Sequence, residues 1–175
     1  ISESDFAIRS VNIVNEKIVI NYLVDTISKI KFFDMNGNHL NDFNFELAGT
    51  IGGFRGGIDE KDTYFNFSNY VTPTKIYKIN MKDFSYDVFW EERLADHNVD
   101  DYETKLWFYE SKDGTQIPLH ISSLSNINVD ENTPVLLYGY GGFDISILPG
   151  FSKRFLSWMN QGGVVAVASL RGGSE

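Results

Sequence analysis

Ser28-Lys29-Ile30-Lys31-Phe32-Phe33-Asp34-Met35 reads against Thr74-Lys75-Ile76-Tyr77-Lys78-Ile79-Asn80-Met81, a displacement of 46 residues from position 28 to position 74. Both stretches alternate apolar and polar side chains with the period of two that puts one face of a strand in a core. Around the first, candidate strands cover residues 8–13, 17–24, 28–34 and 39–45, broken by Asn15-Glu16, Asp25-Thr26 and Asn36-Gly37. Around the second they cover 49–54, 63–68, 74–80 and 86–90, separated by Asp59-Glu60-Lys61-Asp62, Thr72-Pro73 and Lys82-Asp83. Four short strands per unit at a period in the forties is the signature of a β-propeller blade, whereas alternation alone would also arise in two unrelated hairpins. Two blades do not close a ring of four to eight, so the repeat leads us to expect further chain.

Composition narrows the class. Of 175 residues, 42% are hydrophobic and 22% charged, which excludes a disordered or collagen-like chain, and 15% are aromatic, which favours strands. There is no cysteine, hence no disulfide framework, thiolate metal site or cysteine nucleophile. Fifteen basic against 24 acidic residues give a formal charge of −9, which repels phosphate backbones and argues against nucleic-acid binding. No apolar run approaches the roughly 18 residues of a spanning helix, so no membrane partner is expected. The sequence opens on Ile1 and closes in Arg171-Gly172-Gly173-Ser174-Glu175, neither of which resembles a natural terminus, and a piece of a larger protein is the expectation.

The pattern changes near residue 95. Asp96-His97-Asn98-Val99-Asp100-Asp101 is acidic and aperiodic, and residues 96–101 read as an interdomain linker or hinge, its charge a solvated surface in preference to a metal site. Residues 102–109 and 116–122 then form a hairpin about Lys112-Asp113-Gly114-Thr115. Residues 134–140 are a continuous apolar run, as in a strand buried on both faces; 155–161 have helical spacing, stop at Gly162-Gly163, and lead to a second apolar strand over 164–170. Strand, glycine loop, helix and strand make a parallel α/β pattern. The fold expected is therefore a β-propeller portion of two four-stranded antiparallel blades over 1–95, followed from 102 to 175 by the opening of an α/β domain.

The sharpest local feature is Tyr138-Gly139-Tyr140-Gly141-Gly142-Phe143, at the C-terminal end of a strand, where ligand sites of open α/β sheets gather. Glycines there let a substrate approach the backbone, although a tight turn needs them too. No G-x-S-x-G elbow occurs. Ser174 follows two glycines but reads as a turn residue, and His39, His97 and His120 fall in a blade turn, the linker and a return strand, none placed as a catalytic base. Asn66-Phe67-Ser68 matches a glycosylation acceptor inside a strand, where occupancy is not expected. No metal or cofactor constellation is visible.

The run from Leu137 through Tyr138-Gly139-Tyr140-Gly141-Gly142-Phe143-Asp144 to Ser152, with Gly162-Gly163-Val164-Val165-Ala166-Val167-Ala168 and Arg171-Gly172-Gly173, resembles the prolyl oligopeptidase family of serine peptidases. The resemblance extends upstream to Ser111-Lys112-Asp113-Gly114-Thr115 and to Phe65-Asn66-Phe67-Ser68-Asn69-Tyr70-Val71-Thr72-Pro73. It implies the last two blades of a propeller joined to the start of an α/β-hydrolase catalytic domain, in a cytoplasmic enzyme that cuts short peptides after proline. Gly141-Gly142-Phe143 matches the proline-specific branch. By the same resemblance Tyr140 is the tyrosine whose hydroxyl donates to the oxyanion, and Phe143 is an aromatic wall of the proline pocket, while Tyr138 faces the core or supports the loop. By the resemblance the Ser, Asp and His of the triad fall beyond this stretch, and Ser174 stands where the family usually has a third glycine. The implied partners are short proline-containing peptides and the remainder of the parent chain, with no cofactor, and the 175 residues alone are expected to be inactive. A different reading, a non-catalytic β-rich binding module that retains the fold, has no need of an oxyanion donor.

Overall fold

A computed structural model describes residues 1–95 and 97–173, which separate into two compact units. The first comprises 1–68 and 74–92, the second 69–73 and the chain from 93 onward.

The first unit holds two four-stranded antiparallel sheets. One has the order β1 (Ala7–Val14), β2 (Lys17–Val24), β3 (Ile27–Asp34), β4 (His39–Phe43), and the other β5 (Thr50–Arg55), β6 (Asp62–Ser68), β7 (Lys75–Asn80), β8 (Tyr86–Glu91). These agree with the expected strands to within one or two residues at each end. The turns explain the short hairpins: Asn15-Glu16 and Asp25-Thr26 place both central residues in the left-handed region (φ 49° and 51°; 49° and 69°), the twist that matches antiparallel partners. The two halves of the repeat also share turn chemistry. Asp34 Oδ1 accepts from the amide of Asn36 at 2.9 Å, and Asn80 Oδ1 accepts from the amide of Lys82 at 2.8 Å, so each residue uses its side chain to close the turn after the third strand. Asp34 also accepts from the amide and side chain of Asn38, and these donors hold its carboxyl below the usual range.

Between the sheets lies an aromatic core built from Val14, Val19, Ile30, Phe32 and Phe43 of one and Ile51, Phe65, Phe67, Tyr77 and Ile79 of the other. Phe65 is at its centre, stacked on Phe54 (5.2 Å between centroids) and on Tyr77 (4.9 Å). The repeat fixes which face each residue uses. Ile30 and Phe32 point from the first sheet into this core, whereas Phe33, one residue on, belongs to a second cluster with Ile20 and Tyr22. Its repeat equivalent Ile79 points back into the shared core, and Lys78, equivalent to Phe32, faces outward and pairs with Asp62 at 2.8 Å.

The second unit is built on a mixed sheet of order β11-β12-β10-β9, with β9 (Tyr102–Glu110) and β10 (Gln116–Leu124) antiparallel and β11 (Val135–Tyr140) parallel to β12 (Val164–Ser169). One seven-residue helix, α1 (Lys153–Met159), packs on β12 and β10. Leu156 and Met159 meet Val165 and Val167 there. Of the two apolar runs, only β12 is buried; every residue of β11 is exposed. The expectation that 134–140 is a buried strand is corrected: among the described residues β11 has β12 as its one neighbour and is exposed, and α1 packs on β12 and β10.

One segment departs from the sequence reading, and the linker is ordered by local hydrogen bonds. Residues 69–73 lie between β6 and β7 in the chain but belong to the second unit, where Tyr70 and Val71 sit in its core. Asn69 Oδ1 turns this segment by accepting from the amides of Val71 (3.0 Å) and Thr72 (2.7 Å). Asp96 lies outside the described residues, but 97–101 are held firmly despite their polarity. Asn98 caps a 3₁₀ turn over Val99–Asp101, the carbonyl of Asp101 accepts from both the amide and the hydroxyl of Ser125, and His97 Nε2 donates to the carbonyl of Val71 at 2.9 Å.

Candidate functional site

β11 and β12 run in parallel, so their C-terminal ends emerge side by side, with Tyr140 opposite Ser169. Each strand continues into a glycine-rich turn, and the two turns are packed backbone on backbone. A Cβ on Gly141 would collide with the carbonyl oxygen of Arg171, and one on Gly172 would lie 3.1 Å from the amide nitrogen of Gly142. Only glycine permits this approach. Hydrogen bonds then fix the crossing: the amide of Asp144 donates to the carbonyl of Gly172, and that of Ile145 to the carbonyl of Gly142, both at 3.1 Å.

The loop holds its side chains in an unusual conformation. Phe143 and Asp144 are both left-handed (φ 55° and 61°), a region non-glycine residues visit at a cost of order 1 kcal/mol or more and one that collects at functional sites. The consequence is that the ring of Phe143 stands away from the protein at 91% exposure, while Tyr140 is 37% exposed at the strand end. Tyr140 closes β11 and Phe143 stands three residues on, in the turn that follows it. Tyr138, expected to face the core or support the loop, is 47% exposed and so does not face the core.

A third element braces the crossing. Asp113, in the tight turn between β9 and β10, uses Oδ1 to accept from the amide of Thr115 (3.2 Å) and Oδ2 to accept from Nη1 of Arg171 (2.5 Å). Nη2 of Arg171 reaches Ser111 Oγ at 3.4 Å. These donors, the guanidinium first, bring the Asp113 carboxyl down to about 2. Sequence reasoning saw Asp113 only as a turn residue. The signal available was an acid in a hairpin turn and an arginine at the end of a strand of the same sheet, 58 residues apart, which topology alone joins.

The histidines stand apart from this arrangement. His39 Nε2 donates to Asp42 Oδ1 at 2.9 Å on the surface of the first unit. His97 packs its ring against Tyr102 and Phe151. His120 lies mid-strand between Leu106 and Val167 with its ring 5.3 Å from that of Tyr70, and burial pushes its pKa down to about 4. Among the described residues no cluster of three metal-ligating side chains exists, and Ser174 lies outside them. A cavity of about 510 Å³ beside β3 and β4, lined in part by Phe6, Tyr22, Lys31 and Phe45, is in the first unit and contains neither Tyr140, Phe143 nor any of the three histidines.

The stacked four-stranded repeats define a propeller-bearing class of protein. A family model described as the prolyl oligopeptidase N-terminal β-propeller domain matches residues 2–92, and the chain belongs to the prolyl oligopeptidase family. It is 38% identical over 154 residues to a prolyl endopeptidase of Elizabethkingia miricola, covering 88% of this chain and 22% of the relative. It is 34% identical over 180 residues to the prolyl endopeptidase of Dictyostelium discoideum, covering 100% of this chain and 23% of that one. Among solved structures, a chain from work on two prolyl endopeptidases and the role of inter-domain dynamics superposes with a TM-score of 0.91 at 33% identity, over 99% of this chain and 26% of the other. Prolyl oligopeptidase B of Galerina marginata, bound to a 25mer macrocyclization substrate, gives 0.91 at 27% identity, over 99% and 25%. The chain therefore spans about a quarter of the length of the relatives it matches.

Proposed function

We propose that this chain is part of a serine peptidase that hydrolyses short peptides on the carboxyl side of proline, a cytoplasmic enzyme of which residues 1–95 form the last two propeller blades. Residues 102–175 open its α/β-hydrolase catalytic domain, and 96–101 connect the two. The nucleophile, base and orienting acid come from the rest of the enzyme. The observation that supports the reading is the crossing of the two glycine turns at the C-terminal ends of parallel strands, in the segment that carries Tyr140 and Phe143.

In this role Tyr140 donates a hydrogen bond from its hydroxyl to the carbonyl oxygen of the scissile bond as negative charge develops there. A donor on a rigid strand end needs no reorganisation when the tetrahedral intermediate forms, and losing one typically costs about 2.7–4 kcal/mol. Phe143 lays an apolar face against the pyrrolidine ring, which has no polar group to leave unpaired. Its outward stance suits a wall that substrate meets first.

The test is Tyr140→Phe in the complete enzyme, assayed on a proline amide substrate. The expected result is a kcat lower by about 100- to 1000-fold with KM little changed, since the hydroxyl acts on transition-state charge. An unchanged kcat would remove Tyr140 from the oxyanion site. Labelling of the complete enzyme with a serine-reactive phosphonate separates a peptidase from a binding module.

A further inference from the structure

We propose that Arg171 is a positioning residue for the loop bearing Tyr140 and Phe143, clamping the turn at residues 111–115 to the end of β12 so that the crossing of the two glycine turns cannot relax. The inference rests on the reading of Tyr140 and Phe143 given above.

Arg171 acts at both ends. Its carbonyl oxygen is the atom against which Gly141 is packed, and the next residue, Gly172, accepts the Asp144 amide. Its guanidinium is forked between Asp113 and Ser111, in a turn closed by its own hydrogen bonds from Ser111 to Thr115 (2.8 Å) and from Gly114 to Ser111 (2.9 Å). The fixed planar fork of arginine defines a direction as well as an attraction, which a lysine cannot reproduce. Both partners are about half exposed, and exposed ion pairs add little to folding stability. The left-handed pair Phe143-Asp144, by contrast, persists only where its surroundings over-determine it. Removing the clamp therefore affects the loop before it affects the fold, and a displacement of about 1 Å at such a site can lower a rate by about 100-fold.

The experiment compares Arg171→Ala, Arg171→Lys, Asp113→Ala and the Arg171→Ala/Asp113→Ala double variant of the complete enzyme, with Tyr140→Phe in parallel. Kinetics on a proline amide substrate, melting temperature and amide hydrogen exchange at Asp144 are measured. The expected result is kcat/KM lower by about 10- to 100-fold in Arg171→Ala, partial recovery in Arg171→Lys, and a double variant no worse than the singles. Exchange at Asp144 should accelerate while the melting temperature stays near that of the parent. Wild-type kinetics in Arg171→Ala, additive losses in the double variant, or unchanged exchange at Asp144 each overturn the clamp. If Tyr140→Phe lowers kcat while Arg171→Ala does not, the clamp alone falls; if Tyr140→Phe leaves kcat intact, the site reading falls and takes the clamp with it.

Discussion

The indole N–H of Trp158 donates to the carbonyl of Val164 at 3.0 Å, and the indole ring fills the space a side chain on Gly163 would need. This contact ties the end of α1 to the start of β12, and so sets how the helix sits on the sheet that carries the site. Gly163→Ala would place a methyl group among the indole atoms, and overpacking of this kind typically costs about 1–3 kcal/mol. Urea unfolding of the complete protein should show a lower midpoint with an unchanged slope. A midpoint equal to the parent's would mean that the indole moves aside without loss.

His120 predicts a pH dependence of stability. Its pKa is about 4 in the folded protein because burial disfavours the imidazolium, against about 6.5 for an exposed histidine. Between those values the unfolded chain binds the proton and the folded one does not, so the neutral-side stability is lost as pH falls from about 6.5 towards 4. His120→Gln should flatten that part of the profile. An unfolding midpoint that stays constant between pH 6.5 and 4.5 in the parent would contradict the burial of a neutral ring.

Phe65 is 1% exposed and touches rings from both sheets of the first unit. Phe65→Ala should destabilise by about 3–5 kcal/mol, and Phe65→Leu by less, because the cavity left is smaller. Chemical denaturation followed by tryptophan and far-ultraviolet signals tests the order of the two variants; equal losses would show that ring geometry, not volume, matters at this position.

Phe143→Ala should lower kcat/KM for a proline substrate by about 1–3 kcal/mol of transition-state binding, and do much less to the matched alanine substrate. The comparison must be made on the same leaving group. Equal losses on both substrates would make Phe143 a support of the loop instead of a wall for proline.

The eight strands of the first unit were legible because their signal is periodic. The inner strands alternate between core and surface, as β6 does, and polar residues such as Asn15-Glu16 and Asp25-Thr26 mark turns between them. The second unit was legible in order but not in burial: an apolar run such as Val135–Tyr140 looks alike at the edge or the centre of a sheet, and only the neighbour count decides. Residues 69–73 were hidden for another reason. Their apolar pair Tyr70-Val71 is too short to carry a period, and its destination is set by the fold of a distant stretch. The order of 97–101 likewise comes from caps and backbone acceptors, which hydropathy does not register. At the site, the glycines and the two aromatics were visible in the sequence, whereas the bond from Arg171 to Asp113 depends on a sheet order that no local pattern encodes.

The stacking of the two four-stranded sheets has a direction. The forward face of the first, with Ile30 and Phe32, meets the rear face of the second, with Tyr77 and Ile79, so the contact joins unlike surfaces and is heterologous in the sense used for assemblies. Contacts of that kind, each joining one face to an unlike face of the next unit, are the ones by which successive blades follow one another around a ring. At Lys78, where the first repeat has Phe32, the second sheet carries a cation paired with Asp62 at 2.8 Å, so its forward face is not an aromatic copy of the one before it.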